Sequence, residues 1–375
     1  MNQTLAIFID AYRELNARKL FWITLSLSTL VALAFLAVGI DSNGISLFGA
    51  HLSFLKDFNT SIIERPLFFK GLFLNLGVGL WLTWIATILA LISTAGIFPD
   101  LLSGGSIDLF LSKPIGRLRL FLTKYAAGLA FVFLQVLAFS FASFLLLGIR
   151  GGTWEPSVFL AVPVVVVFFS YLYCVCVLLG VMTRSTVASI LLTILFWLLI
   201  LGIHTVEVFS LDRQLTDKYS IERCDRQIAQ READLKALDA QEPTSYRETK
   251  RTFITHKLDE VRKERADAAS SSSWHPIFFG IKTVLPKTSE TVALLERWLV
   301  SGAELKGKQL PDNSDDDEEV DRNVPRRFGP DGIRAQRELR QIIRSRSVGW
   351  VAGTSLAFEA VVVAWAAWIF CRRDY

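Results

Sequence analysis

Residues 158–182 read VFLAVPVVVVFFSYLYCVCVLLGVM, a run without a single Asp, Glu, Lys or Arg. A helix needs about 20 mainly apolar residues to cross roughly 30 Å of hydrocarbon, and this stretch exceeds that. It is also too long for a buried strand. Working outward, five more stretches share its character: 20–40, 71–97, 126–148, 187–203 and 348–370. The 187–203 stretch is short and extends through His204. The 71–97 and 158–182 stretches are long enough to tilt. Trp22, Tyr125, Trp154 and Trp350 stand at ends of these stretches, where aromatic anchors favour the membrane interface. The expected fold class is an all-α integral membrane protein with six transmembrane helices.

Composition agrees. Of 375 residues, 52% are hydrophobic and only 20% charged, with a mean hydropathy of +0.40. A soluble chain is nearer a quarter charged. The charges crowd between Leu211 and Arg346, so the net charge of +4 averages two unlike regions and does not point to nucleic acid. Four cysteines cannot frame a chain of this length, and the four histidines are scattered, so no metal site with regular ligand spacing is expected.

The first stretch is too long for the apolar region of a cleavable signal, and no small-residue cleavage site follows it. Before it, Leu5, Phe8, Ile9, Tyr12 and Leu15 recur at helical spacing, with Asp10, Arg13, Glu14 and Arg18 elsewhere around the wheel. This reads as an N-terminal interfacial helix lying along the membrane, or as a plain helical lead into the span. The chain then divides into a membrane part at 1–207, a polar, mostly helical insert at 208–347, expected outside the cytoplasm, and a last span with a short tail at 348–375. In the insert, Ile221, Ile228 and Leu235 are spaced by seven, with Cys224 and Leu238 on the same seam. A break at Glu242-Pro243-Thr244-Ser245 precedes Ile254, Leu258 and Val261, so a helical hairpin is expected, its seam interrupted by Arg231. Residues 274–300 carry apolar clusters divided by Pro286 and read as short amphipathic helices at the membrane surface. Asp315 to Glu319 is an acidic run that reads as a solvated loop. A basic helix over 332–346 leads into the last span.

Basic residues of short loops prefer the cytoplasm. Arg18, Lys19, Lys113, Arg117, Arg119, Lys124, Arg184, Arg372 and Arg373 all fall on one side of a six-span layout. Both termini are therefore expected in the cytoplasm of a plasma (bacterial inner) membrane. The arginines from Arg326 to Arg346 fall on the opposite side, in a long loop of the kind that escapes the charge rule.

No GxxxxGK[ST] phosphate loop, HExxH or GxSxG pattern occurs, so no catalytic residue is expected and the chain is not read as an enzyme. The loop of 98–125, FPDLLSGGSIDLFLSKPIGRLRLFLTKY, holds helix breakers at Pro99, Gly104, Gly105 and Pro114, with a short helix near 106–112 between them. Such a helix beneath the membrane suits docking to a soluble partner; the plainer reading is a connecting loop. Asp100, the Gly104-Gly105 turn, Asp108-Leu109-Phe110-Leu111, Ser112-Lys113-Pro114-Ile115-Gly116-Arg117 and Lys124 resemble the signature loop of type-2 ABC exporter permeases. The sharp motif covers under 30 residues; the six-span layout and surface helix are similar over most of the chain. The insert departs from the family's usual small reentrant helices. The resemblance implies a membrane-spanning permease subunit of an ATP-driven exporter. Asp100, Gly104, Gly105, Asp108, Leu111, Lys113, Pro114 and Arg117 would couple it to a separate ABC ATPase. This chain would hold no cofactor, ATP and Mg would sit on the partner, and two permease chains would pair as a homodimer or heterodimer within membrane lipid. Two other readings stand beside it: a mechanotransmission protein that moves the hairpin, and a membrane anchor without ATP coupling.

Inside the last span, Glu359 is an ionisable residue where charge is costly, with Gln135 of the third span as a candidate partner. It marks either a polar point on a translocation path or a hydrogen-bonded packing contact. Gly349 and Gly353 form a GxxxG pair that marks close helix packing, within the chain or at a dimer interface. The side of the insert is testable. In an otherwise cysteine-free chain, Ser271→Cys should react with a membrane-impermeant maleimide in intact spheroplasts. Labelling seen only after permeabilisation refutes the outside placement.

Overall fold

The computed structural model describes residues 13, 19–41, 44–47, 50–51, 65–102, 116–240, 245–270, 274–299 and 329–372. Within them, α1 (Lys19–Ala37) leads into a three-stranded antiparallel sheet of β1 (Val38–Asp41), β2 (Gly44–Leu47) and β3 (Ala50–His51). Then follow α2 (Arg65–Leu102), α3 (Arg117–Gly151), α4 (Pro156–Thr183) and α5 (Thr186–Asp239). Next come α6 (Ser245–Ala269), α7 (His275–Val284), α8 (Thr288–Leu299), α9 (Pro330–Ser345) and α10 (Val348–Arg372). Five of these, α2 to α5 and α10, are long and apolar enough to cross a membrane; α1 carries a shorter apolar stretch, Trp22–Phe35. The surface helix expected before α1 lies outside the described residues except at Arg13.

The chain forms two compact units, Met1–Leu201 with Val284–Gln309 and Val348–Tyr375, and Gly202–Thr283 with Leu310–Ser347. This differs from the sequence-based division, since residues 284–309, expected in the insert, belong to the first unit. The reason is α8: its stripe of Leu294, Leu295 and Leu299 is buried and packs on the apolar helices, so an amphipathic helix expected at the surface is part of the bundle.

In the first unit α4 is the central helix, buried almost all round and packed by α3, α8 and α10. This explains why its sequence has no polar face. Serine and threonine hydroxyls on the apolar helices return to their own backbone: Ser93 Oγ to Leu89 O at 2.8 Å, Thr94 Oγ1 to Ala90 O at 2.8 Å and Thr193 Oγ1 to Ser189 O at 2.6 Å. The middle of α2, Phe73–Ala86, widens to π-helical geometry, and the hydroxyls of Thr83 and Thr87 there reach carbonyls five residues back. Trp81 Nε1 donates to Ser28 Oγ at 3.2 Å and ties α1 to α2. The small sheet, absent from the all-helical expectation, pairs Val38 with Leu47 and Asp41 with Gly44, with Gly44 at φ 111° in the turn.

In the second unit the expected hairpin forms from α5 and α6. Cys224, Leu238, Leu258 and Val261 are buried along its seam. Arg223–Glu264 at 2.8 Å, Arg262–Glu232 at 2.8 Å and Arg265–Asp225 flank it. Arg231, which interrupts the seam, donates instead to the Lys257 carbonyl at 3.2 Å. On another face of α5, Leu211 and Leu215 pack with Ala335 and Leu339 of α9, and Asp331 pairs with Arg223 at 2.7 Å.

One contact in the bundle sets a sharp size limit. A Cβ at Gly128 of α3 would stand 2.3 Å from the Tyr173 hydroxyl of α4. Tyr173 is fully buried and stacked on Tyr125 and Phe169 at 5.1 and 5.4 Å, so it has nowhere to retreat. Gly128→Ala should therefore destabilise the chain by about 1–3 kcal/mol, as overpacked cores do, read as a lowered unfolding temperature in detergent. Gly202→Ala, where the added methyl meets nothing within 4 Å, should be neutral or slightly stabilising; equal losses refute the packing argument.

Candidate functional sites

The first candidate site is the end of the bundle from which the 103–115 segment leaves. Phe98 near the end of α2, Phe121 at the start of α3 and Phe370 at the end of α10 form an aromatic cluster. Their ring centroids lie 4.9, 5.6 and 6.3 Å apart. Arg117 Nη1 donates to the Cys371 carbonyl at 3.1 Å. That bond satisfies one of the orphan carbonyls at the end of α10 and places a cation there, as the helix dipole favours. Pro99 packs against Gly180 of α4, where a Cβ would stand 3.3 Å from the proline ring. Asp100 is exposed in the last turn of α2. Gly104, Gly105, Asp108, Leu111, Lys113 and Pro114 lie outside the described residues. What is described is the scaffold: the helix ends on either side of the segment meet in one aromatic cluster.

The second is Glu359. Its two carboxylate oxygens accept from the Tyr125 hydroxyl at 2.8 Å and the Ser170 hydroxyl at 2.7 Å. The pairing with Gln135 raised by the sequence is not what the fold uses: Gln135 is buried, and its Nε2 has no hydrogen-bond partner among the described residues. The reason is helix geometry. Glu359 of α10 faces Tyr125 of α3 and Ser170 of α4, whereas Gln135, ten residues beyond Tyr125, sits about 15 Å further along α3. It lines a small cavity beside Ser28 and Thr87. Tyr125, read from the sequence as an interfacial anchor, is buried because α3 begins at Arg117, two turns before the apolar stretch. Trp22 and Trp154 are more than half exposed. Gly349 and Gly353 are exposed, with nothing within 4 Å of a Cβ at either position. The close packing expected of the pair is not made against this chain's own described helices.

The third site was not found from the sequence. Directly past the fifth apolar stretch, in the second unit, the fully buried Glu207 gathers cations. Lys282 Nζ of α7 lies 2.7 Å from Oε2, Arg346 Nη2 donates to Oε1, and His275 Nε2 lies 3.3 Å from Oε1, out of hydrogen-bonding line. Lys282 Nζ also meets His204 Nδ1 at 2.8 Å. Burial works against the Glu207 charge, but the hydrogen bonds and charges of Lys282 and Arg346 outweigh it and hold the carboxyl below its ordinary value. His204 and Glu207 carry donor atoms of the kind a metal ion uses, yet two cations already sit against them and would repel a third. The available signals were a His-x-x-Glu pair one turn past an apolar run and a lone lysine in the apolar segment 275–284. Their joining with Arg346, 139 residues away, was not visible.

Removing one partner of a buried ion pair leaves a charge uncompensated, which costs about 3–5 kcal/mol. Lys282→Met should show that loss in thermal unfolding of the detergent-solubilised chain, and Glu207→Gln in the same background should recover part of it. Because folding lowers the Glu207 pKa, its contribution is present above the ordinary carboxylate range and is lost as pH falls through the lowered value. Stability that is flat through acid pH, or a double variant no better than Lys282→Met, contradicts the network.

No protein-family model matches the chain, and neither a curated protein nor a solved structure matches it.

Proposed function

We propose that this chain is a six-span permease subunit of an ATP-driven exporter, coupled to a separate ATPase through residues 98–125. The observation that carries the reading is the loop itself, with Asp100, Gly104-Gly105, Asp108, Leu111 and Lys113-Pro114-Ile115-Gly116-Arg117 in the order of the type-2 ABC exporter signature. Its setting supports the role. The helices on either side of the loop meet at the Phe98–Phe121–Phe370 cluster, and Arg117 holds the end of α10. A push on the loop would thus be felt by three apolar helices together. Both chain ends would lie in the cytoplasm, α1 would supply the remaining span, and ATP and Mg would be handled by the partner. Glu359, held by Tyr125 and Ser170, would be the polar point within the spans. The exposed face of Gly349 and Gly353 suits a second permease chain, the same or related.

The test is reconstitution with the cognate ATPase. Asp108→Arg and Pro114→Leu should each abolish stimulation of ATP hydrolysis by the permease while leaving the chain folded. Full stimulation by both variants rejects the coupling role, and failure of any ATPase to co-purify favours a membrane anchor. One observation favours a second reading, mechanotransmission. The continuous helix α5 has 54 residues, about 80 Å at 1.5 Å per residue, far more than a membrane requires. ATP-dependent change in a hairpin-tip label with no solute flux would select it over export.

A further inference from the structure

The second unit contains a cleft of about 900 Å³ that none of the roles above uses. That volume is at the upper end for sites that enclose a small molecule. Its chemistry changes along its length. At one end it is walled by Val206 and Phe209 of α5, together with Trp274 and Phe278. Three of these are conspicuously exposed: Val206 at 41%, Phe209 at 55% and Trp274 at 59%. At the other end it is walled by charge: Arg213, Asp217, Lys218 and Glu222 of α5, and Asp267 of α6. From Val206 to Glu222 along α5 is about 24 Å at 1.5 Å per residue. Val206 stands one turn past Ile203, where the apolar stretch of the same helix ends. The apolar end of the cleft therefore begins where the helix leaves its apolar run, and the charged end lies further out. That is the polarity profile of a lipid, tail first.

The charges select the headgroup. The two cations are already engaged, Arg213 with Asp217 at 4.0 Å and Lys218 with Glu338 at 3.4 Å. Glu222 and Asp267 are exposed and make no ion pair among the described residues. The unanswered charge at the polar end is thus negative, with Lys218 about one turn and Arg213 about two and a half turns nearer the apolar end. A headgroup carrying a terminal ammonium beyond a phosphate matches this order. The ammonium can donate to Glu222 and Asp267, the phosphate can lie by Arg213 and Lys218, and an acyl chain can cover Phe209, Trp274 and Phe278. Phosphatidylglycerol offers no cation, and the quaternary ammonium of phosphatidylcholine has no N–H to donate.

We propose that the cleft between α5, the end of α6 and Trp274–Phe278 binds phosphatidylethanolamine. The proposal stands on the second unit alone and does not depend on ATP coupling. The test uses the full-length, delipidated chain in detergent, titrated with phosphatidylethanolamine, phosphatidylglycerol and phosphatidylcholine of matched acyl chains and read by native mass spectrometry. Phosphatidylethanolamine should bind about tenfold or more tightly than the other two, the scale of one or two charge-assisted hydrogen bonds. Glu222→Gln with Asp267→Asn should erase that preference, while Phe209→Ala should weaken all three lipids. Asp234→Asn with Glu248→Gln, exposed acids elsewhere on the hairpin, should change nothing. A photoactivatable phosphatidylethanolamine should crosslink to peptides carrying Phe209 or Trp274. Equal retention of the three lipids means adventitious lipid only and overturns the proposal. So do crosslinks confined to the apolar spans, binding by a free long-chain amine but not by the phospholipid, and an undiminished preference in the neutralised variant. Should that variant fail to fold, the headgroup preference and crosslink position of the wild-type chain decide.

Discussion

A packed apolar interior offers no water to an unpaired polar atom, so a polar group among apolar helices is costly unless it finds a partner inside the protein. This constraint organises the first unit. It explains the hydroxyls of Ser93, Thr94 and Thr193 folded back onto their own helices. It also explains the convergence of α3, α4 and α10 on the Glu359 carboxylate, because two hydroxyl donors from two helices can be brought to one acid only if all three pack at that depth. Polar contacts of this kind add specificity that interchangeable apolar surfaces lack. The Arg117 bond to the Cys371 carbonyl acts similarly at the end of the bundle.

Glu207 and Glu359 solve the same problem differently. Glu359 is met by neutral hydroxyls, with no cation paired to it among the described residues. Glu207 is fully buried and met by an ammonium and a guanidinium. The Glu207 carboxyl, between two cations, is held ionised by their charges and hydrogen bonds. That arrangement suits a fastening.

The sequence made the apolar helices and the hairpin legible because their signals are local. An uncharged run of 25 residues has few other fates, and the seven-residue spacing of Ile221, Ile228 and Leu235 marks one face of a helix. The illegible parts depend on partners far apart in the chain. Glu359 is visible as an anomaly, but nothing local names Tyr125 and Ser170, and Gln135 stands out only because it is polar. The place of α8 in the bundle was hidden because a half-apolar helix reads alike at a membrane surface and in a protein groove. The strands of 38–51 are too short to carry a periodic signal. Of the candidate coupling residues, only Asp100 and Arg117 fall among the described ones, so the strongest motif in the sequence is known here chiefly by its anchorage.

The length of α5 has a mechanical meaning. Sharp kinks in helices come chiefly at proline, at glycine pairs or where the hydrogen-bond ladder is interrupted. Between Thr186 and Asp239 there is no proline and a single glycine, Gly202. Such a rod carries a change of angle along its whole length. From His204 to Asp239 it measures about 52 Å, so a tilt of about 10° at its base would carry the tip through about 9 Å. A small change of angle among apolar side chains would become a displacement of several ångströms at the far end of the helix.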